Sequence, residues 1–115
     1  MSHTIFALCA EWCGVCREFR LQWDAAAAGN PQVRHVWIDI EDHADRLGDL
    51  DIETFPTIAI ARGAQPLFFG TTLPSMPTVQ RLLDAGLSVD ALDAGHRATV
   101  AHLMREFAPD DDTSG

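Results

Sequence analysis

The amino-acid sequence predicts an α/β domain with a four-stranded mixed sheet flanked by helices. Three observations support this prediction. First, an uncharged apolar run is followed by a segment whose apolar residues recur at helical spacing, and then by a second strand-like run. Second, two further strand-like runs lie close together in the sequence. Third, two segments with apolar residues at helical spacing follow them. The chain has 115 residues, 47% of them hydrophobic, so it has room for one packed domain and little more.

The N-terminal third predicts a strand, a helix and a second strand. Thr4–Cys9 is apolar, partly β-branched and uncharged, which is typical of a strand buried on both faces. From Cys13 to Ala28 the apolar residues recur at helical spacing, and Gly29-Asn30-Pro31 ends the helix. Val33–Ile40 predicts another strand, which a right-handed βαβ crossover would pair in parallel with the first.

The rest of the chain predicts a hairpin and three helices. We expect a short acidic helix over Asp42–Leu50. Thr57–Ala61 and Leu67–Gly70 predict two strands joined by a five-residue loop. Ser75 is placed to cap a third helix, and a fourth amphipathic helix is expected from about His96 to Phe107.

The charge of the chain argues against two classes of partner. Seventeen acidic residues against eight basic ones give a net charge of −9, so nucleic acids and anionic membranes would be repelled. No apolar segment approaches the ~20 residues that span a bilayer, and Met1–Thr4 does not resemble a secretory signal. We expect a cytoplasmic protein, with residues 1–108 as its domain and residues 109–115 as a flexible polar tail.

Two of the three cysteines lie at the junction of the first predicted strand and helix. The segment there is Ala10-Glu11-Trp12-Cys13-Gly14-Val15-Cys16. A cysteine at a helix start meets unpaired N–H groups, which stabilise a thiolate. Cys16 follows one turn later, close enough to attack a mixed disulfide on Cys13, and Gly14 does not obstruct that approach. Half of a zinc site is the alternative, but the five scattered histidines supply no second ligand pair, so we expect no metal.

With Phe55-Pro56-Thr57 opening the third strand, this segment resembles the thioredoxin family over about residues 4–87. The resemblance implies a thioredoxin-like fold with a truncated N-terminus and an extra C-terminal helix. It also implies a thiol–disulfide oxidoreductase that reduces protein disulfides, with Cys13 as nucleophile and Cys16 as resolving cysteine. Their redox disulfide would be Cys13–Cys16. The peptide bond between Phe55 and Pro56 would be cis and would lie against the cysteine pair.

The same resemblance supplies the expected partners. These are disulfide-containing protein substrates and a reductase, flavin-dependent by family analogy, which would donate electrons. No cofactor is expected to be bound to the chain itself, and we expect a monomer or a weak dimer. Trp12 is expected to form an apolar platform beside the site, and the backbone of Phe55 to pair with an extended substrate segment.

The chain departs from the family pattern around its cysteines. Gly14-Val15 replaces the usual Gly-Pro between them, which alters the redox poise. Ala7 replaces a buried acid that accepts the proton of the resolving thiol, and by alignment His35 replaces a lysine paired with that acid. Water, Glu11 or His35 would have to act as the base, although a structural role for His35 is favoured.

Two further departures concern the third cysteine and the sheet edge. Cys9, Cys13 and Cys16 have a spacing found at iron–sulfur clusters of radical enzymes, but the chain is too short for the barrel of those enzymes. We therefore expect Cys9 to be buried and unpaired. A truncated N-terminus leaves Val33–Ile40 at the sheet edge, where the last helix would cover it or dock on another subunit.

The departures also favour an alternative function. The missing acid, the altered dipeptide and the extra helix fit a partner-specific thioredoxin-fold binding module, or an assembly chaperone, with little general reductase activity. The intact cysteine pair favours the enzyme.

Overall fold

The computed structural model describes residues 3–10, 13–47, 56–63, 65–85 and 92–107. Their elements, in chain order, are β1 (His3–Cys9), α1 (Gly14–Gly29), β2 (Arg34–Asp39), α2 (Ala44–Leu47), β3 (Thr57–Arg62), β4 (Gln65–Thr71), α3 (Met76–Asp84) and α4 (Ala94–Phe107). This order confirms the predicted succession of strands and helices. The end of the predicted acidic helix and the predicted tail lie outside the described residues. Among the helices that are described, none combines the length and the apolar character needed to cross a membrane.

The four strands form one mixed sheet in the order β2-β1-β3-β4. β1 pairs in parallel with β2 and antiparallel with β3, and β3 pairs antiparallel with β4. The parallel pair is connected through α1, as expected for a βαβ unit. The predicted mixed sheet is confirmed, with β2 at one edge and β4 at the other.

The turn between β3 and β4 is shorter than predicted. β3 extends to Arg62 and β4 begins at Gln65, so residues expected in a five-residue loop belong to the strands. Gly63 has a φ of 61°, a left-handed conformation that favours glycine and permits a tight reversal. Pro66 is tolerated within β4 because β4 is an edge strand.

Alternation along β1 divides the interior into two cores, one on each face of the sheet. Ile5 and Ala7 contribute to a core with α1 and α3, whose main buried residues are Phe19, Trp23, Ile58, Ile60 and Val79. Phe6 and Leu8 contribute to the opposite core, together with Ile38, Ala59, Val100 and Leu103. Burying one large apolar side chain contributes about 1.5–3 kcal/mol. β1 is one of the two interior strands, and it is buried on both faces as predicted.

The last helix packs on a face of the sheet and not along its edge. Val100 and Leu103 of α4 are fully buried in the core that contains Phe6 and Leu8. At the start of α4 the ring of His96 lies 5.3 Å from that of Phe69, and at its end Phe107 lies 5.3 Å from His43. The apolar stripe of α4 is thus used against a face of the sheet, in a core that includes Ile38 of β2, and the docking of this helix on another subunit stays a prediction.

The start of α3 is held by α1. Ser75 occupies the predicted N-cap position, but its side chain makes no capping hydrogen bond. The N–H of Met76 instead donates to Oε1 of Gln22 in α1, at 3.0 Å. One of the unpaired amides of a helix N-terminus is thereby satisfied, and the two helices are fixed relative to each other.

Candidate active site

The junction of β1 and α1 brings all three cysteines of the chain together. The N–H of Cys13 donates to the carbonyl oxygen of Ala10 at 3.0 Å, which closes the turn between strand and helix. Cys13 is the N-cap of α1, with an extended backbone, and its carbonyl oxygen accepts from the N–H of Arg17 at 3.1 Å. The sulfur-bearing residue therefore lies at the positive end of the helix dipole, as the sequence predicted.

The three cysteines differ sharply in exposure. Cys13 is half-buried, whereas Cys16 is 1% exposed and Cys9 is fully buried. Val15, between Cys13 and Cys16, exposes 46% of its surface. Another molecule can thus contact the side chain of Cys13 directly, whereas Cys16 offers almost no surface.

Cys16 forms a disulfide with Cys9, and Cys13 is a free thiol. The prediction that Cys9 is unpaired is therefore wrong. The bond that the structure contains is Cys9–Cys16 and not the predicted Cys13–Cys16 disulfide. The assignment of Cys13 as nucleophile and Cys16 as resolving cysteine stays a prediction.

The pairing follows from the two periodicities that meet at this junction. Cys9 continues the alternation of Ile5 and Ala7, whose side of β1 faces α1. Cys16 begins the buried stripe of α1 that continues with Phe19 and Trp23. The two Cα atoms are 5.9 Å apart, within the range that disulfides adopt. The alternation of β1 and the buried stripe of α1 were the available signals in the sequence, but the pairing also depends on how the two elements face each other.

The strand register shows where His35 lies relative to Ala7. Trp37 lies opposite Ala7, and His35 lies opposite Ile5, two residues further from the cysteines. The ring of His35 hydrogen-bonds through Nδ1 to the carbonyl oxygen of Val33 at 3.0 Å and packs edge-on against Trp23. Burial lowers the pKa of His35, and the hydrogen bond to Val33 opposes that shift. His35 is a structural histidine, and it does not lie beside the position of the missing acid.

A cleft of about 280 Å³ opens beside Cys16. Its lining residues are Ala10, Cys16, Arg17, Arg20, Trp37, Asp39 and Asp42. Asp39 lies opposite Cys9 in the parallel ladder, and its Oδ1 accepts from the N–H groups of Glu41 at 2.9 Å and Asp42 at 3.3 Å. The guanidinium of Arg20 lies 5.0 Å from the ring centre of Trp37. Asp39 was not among the predicted site residues, although its place at the end of the neighbouring parallel strand was the available signal.

Pro56 is buried immediately before β3. Because Leu8 lies opposite Thr57 in the antiparallel ladder, Pro56 is level with Cys9. The structure thus brings the two predicted motif segments together at the end of β1. Gly14 opens α1 without obstructing neighbours. Glu11, Trp12 and Phe55 lie outside the described residues, so the predicted platform and cis peptide bond stay predictions.

No set of three or more histidine, cysteine or acidic side chains is arranged to hold a metal ion in the part of the chain that the structure describes. Two of the three cysteines that have the spacing found at iron–sulfur sites, Cys9 and Cys16, are joined by a disulfide.

Comparison with known proteins identifies the family. The family model named Thioredoxin matches residues 2–72. The chain belongs to the thioredoxin family. A protein of Streptomyces coelicolor named Putative thioredoxin 2 is 32% identical over 59 residues, which are 51% of this chain and 44% of that protein. The thioredoxin-family chain thus matches less than half the length of that relative.

Solved structures show the same fold. The thioredoxin of Fasciola hepatica superposes with a TM-score of 0.64 at 15% identity, covering 73% of this chain and 80% of that one. Thioredoxin f2 of Chlamydomonas reinhardtii gives a TM-score of 0.62 at 20% identity, covering 72% and 77% of the respective chains. At these identities the likeness concerns the fold alone. Family membership and a disulfide-forming cysteine pair together support thiol–disulfide oxidoreductase activity in general.

Proposed function

We propose that this chain reduces disulfides in protein substrates, with Cys13 as nucleophile and Cys16 as resolving cysteine. The observation that supports this most is the contrast between the two residues. Cys13 is a free, half-buried thiol at the N-terminus of α1, and Cys16 is a buried cysteine already engaged in a disulfide. A partly exposed sulfur that meets substrate and a buried sulfur that completes the exchange are what the reaction needs.

The reaction begins from the chain with its cysteines reduced. The thiolate of Cys13 attacks one sulfur of the substrate disulfide, so that a Cys13–substrate bond forms and the first substrate thiol leaves. Cys16 loses its proton and attacks the sulfur of Cys13, which forms Cys13–Cys16 and releases the second substrate thiol. Two electrons pass from the two cysteines to the substrate.

The neighbouring residues position the substrate in this proposal. Pro56, level with Cys9, brings no N–H group near the sulfurs, and a cis bond to Phe55 would turn the backbone of Phe55 toward an extended substrate segment. Trp12 and Val15 would supply apolar contact on either side of Cys13. Gly14 keeps the approach of Cys16 to Cys13 unobstructed.

The cycle requires an electron donor from outside the chain. By family analogy, we propose a flavin-dependent reductase that restores the thiols, with no cofactor held by the chain itself. We further propose a cytoplasmic protein that acts as a monomer or weak dimer and binds neither nucleic acid nor membrane, in keeping with its charge of −9.

The test is reduction of insulin disulfides in the presence of dithiothreitol. We expect the wild-type chain to precipitate insulin faster than dithiothreitol alone. Cys13→Ser should lower the rate to that background, whereas reduced Cys16→Ser, mixed with insulin after the dithiothreitol has been removed, should accumulate a mixed disulfide between Cys13 and insulin. Full activity in Cys13→Ser would refute the proposal.

One observation favours the second candidate, a partner-specific binding module. While Cys16 is bonded to Cys9 it is unavailable to resolve a substrate on Cys13, which slows general turnover. An insulin rate at background for the wild type, together with one stable partner that co-purifies, would favour that function over the reductase.

A further inference from the structure

We propose that Cys9 is a third redox-active cysteine, which takes the disulfide over from Cys13–Cys16 and stores it as the buried Cys9–Cys16 bond. The inference rests on the proposed function and adds a step to it. It comes from the pairing in the structure, in which the oxidised partner of Cys16 is Cys9 and the free thiol is Cys13.

Burial determines how the Cys9–Cys16 bond can form. Cys9 is fully buried and Cys16 is 1% exposed, so neither sulfur is accessible to a disulfide in another molecule. Cys13 is the cysteine with an exposed surface. Oxidation therefore enters at Cys13 and reaches the buried pair by exchange inside the chain.

The position of Cys16 allows it to exchange partners. It lies one helical turn from Cys13, the N-cap of the same helix, and its Cα is 5.9 Å from that of Cys9 on the adjacent strand. The sulfur of Cys16 therefore has two cysteine neighbours, the partly exposed Cys13 and the fully buried Cys9. A thiolate on either neighbour can attack it when it is bonded to the other.

The exchange step balances within the chain. After the substrate has left, the thiolate of Cys9 attacks the sulfur of Cys16. The Cys13–Cys16 bond breaks, the Cys9–Cys16 bond forms, and the proton lost by Cys9 is taken up by the sulfur of Cys13 through solvent. No electrons leave or enter. Two electrons from an external dithiol, such as dithiothreitol, later reduce the stored bond through the reverse exchange.

The stored bond changes what the oxidised chain can do. A Cys13–Cys16 disulfide would leave no reactive sulfur at the surface, whereas a Cys9–Cys16 disulfide keeps the Cys13 thiol free. The oxidised chain can then attack a second substrate disulfide, but it has no resolving thiol and holds that substrate in a mixed disulfide. An external dithiol attacks the mixed disulfide at Cys13 first, which releases the substrate and frees the Cys13 thiol, and the buried bond is then reduced by exchange through Cys13.

The test maps the disulfide of the wild-type chain. The fully reduced chain is oxidised with one equivalent of glutathione disulfide, quenched with acid, unfolded in guanidinium and alkylated with N-ethylmaleimide. Cleavage after Glu11 at acidic pH cuts between Cys9 and Cys13. We expect one maleimide per chain, located on Cys13, and the two fragments linked until they are reduced.

A matched variant separates this inference from the proposed function. Oxidised Cys9→Ala should carry no maleimide and contain Cys13–Cys16, so the fragments part without reduction. If the wild type also contains Cys13–Cys16 and its maleimide lies on Cys9, the inference is overturned and the proposed function stands. If neither protein forms a disulfide, the proposed function fails as well.

The route through Cys13 has its own measurement. In reduced Cys13→Ala, both remaining cysteines are buried, and we expect glutathione disulfide to oxidise them at least about tenfold more slowly than it oxidises the wild type. Oxidation of Cys13→Ala to Cys9–Cys16 at the wild-type rate would overturn the proposed entry point. The wild-type disulfide map does not depend on the folding of either variant.

Discussion

At the scale of single residues, the site combines sulfurs of different exposure with the carboxylate of Asp39. Ala7 stands where the family has a buried acid. Asp39 shares a cleft with Cys16 and lies opposite Cys9 in the ladder. Because two backbone N–H groups hold its carboxylate, Asp39 has a fixed position from which to accept a proton from a buried thiol.

We expect Asp39→Asn to slow the resolution of a mixed disulfide by up to roughly 10²-fold, the smaller end of general-base effects. The amide oxygen of asparagine preserves the two backbone hydrogen bonds, so the fold is retained. The measurement is the single-turnover release of substrate thiol as a function of pH. Asp42→Asn is the control, because Asp42 is an exposed residue of the same cleft. Equal rates in the two variants would exclude Asp39 as the base.

His35 gives the stability of the fold a defined dependence on pH. Its pKa is lowered in the folded chain below the ordinary 6.5, chiefly by burial, so the unfolded chain binds the proton more readily. Above pH 6.5 the ring of His35 is neutral in both the folded and the unfolded chain, so its contribution to the stability of the fold is fully present. Stability is lost as the pH falls from there toward the folded pKa.

We expect His35→Gln to flatten the pH dependence of the unfolding free energy in that window. Urea unfolding at several pH values below 6.5 measures it. The wild-type chain, unfolded under the same conditions, gives the reference slope. A slope unchanged in His35→Gln would show that burial of this ring does not control the effect.

At the scale of elements, α1 organises the site and also anchors α3. Its N-terminus presents Cys13, its buried stripe supplies Cys16, and Gln22 accepts the N–H of Met76 at the start of α3. The position of α3 thus depends on a polar contact between helices as well as on the apolar core.

We expect Gln22→Ala to lower the free energy of unfolding by about 0.5–1.5 kcal/mol, the net value of one hydrogen bond. Amide exchange at Met76 should accelerate, because its N–H loses its acceptor. Leu21→Ala is the matched control, since Leu21 is the neighbouring helical residue and is 73% exposed. A larger loss in Leu21→Ala than in Gln22→Ala would contradict this role of Gln22.

Much of the element structure could be predicted from the sequence, because apolar period and turn chemistry are local. The strand alternation, the stripe of α1 and the stripe of α4 all predicted real elements. The predicted loop between β3 and β4 was too long, because a proline such as Pro66 is uncommon in strands. Pairing with Ala61 and Arg62 of β3 nevertheless places Pro66 and Gln65 in β4. The role of Gln22 could not be predicted, because its partner is 54 residues away.

The site was only partly predictable for a related reason. The position of Cys13 at a helix N-terminus follows from local sequence. The bond between Cys9 and Cys16 and the place of Asp39 depend on how β1, α1 and β2 face one another. The place of His35 opposite Ile5 likewise depends on the strand register, which local sequence does not give.

At the scale of the whole molecule, β1 links two cores that lie on opposite faces of the sheet. Near the site, Ala7 contributes to one core and Leu8 contributes to the other, so both cores reach the end of β1 that precedes the cysteine segment. A disturbance of the α4 core should therefore be felt in the α1 core, and the domain should unfold in one transition.

We expect Leu103→Ala to destabilise the fold by about 2–5 kcal/mol, since Leu103 is fully buried. Tryptophan fluorescence from the opposite core and far-ultraviolet circular dichroism should report coincident transitions. Arg105→Ala, an exposed change on the same helix, should leave the midpoint nearly unchanged. Separate transitions for the two signals in Leu103→Ala would show that the cores unfold independently.

The edge position of β2 has a consequence for how the protein is handled. An edge strand offers its backbone groups to a strand of another molecule. At neutral pH the nine surplus negative charges make copies repel one another and oppose such pairing. Acidification protonates the carboxylates and so removes the repulsion between copies. We therefore expect the protein to stay dispersed during purification and storage at neutral or alkaline pH, and to precipitate in acidic buffers.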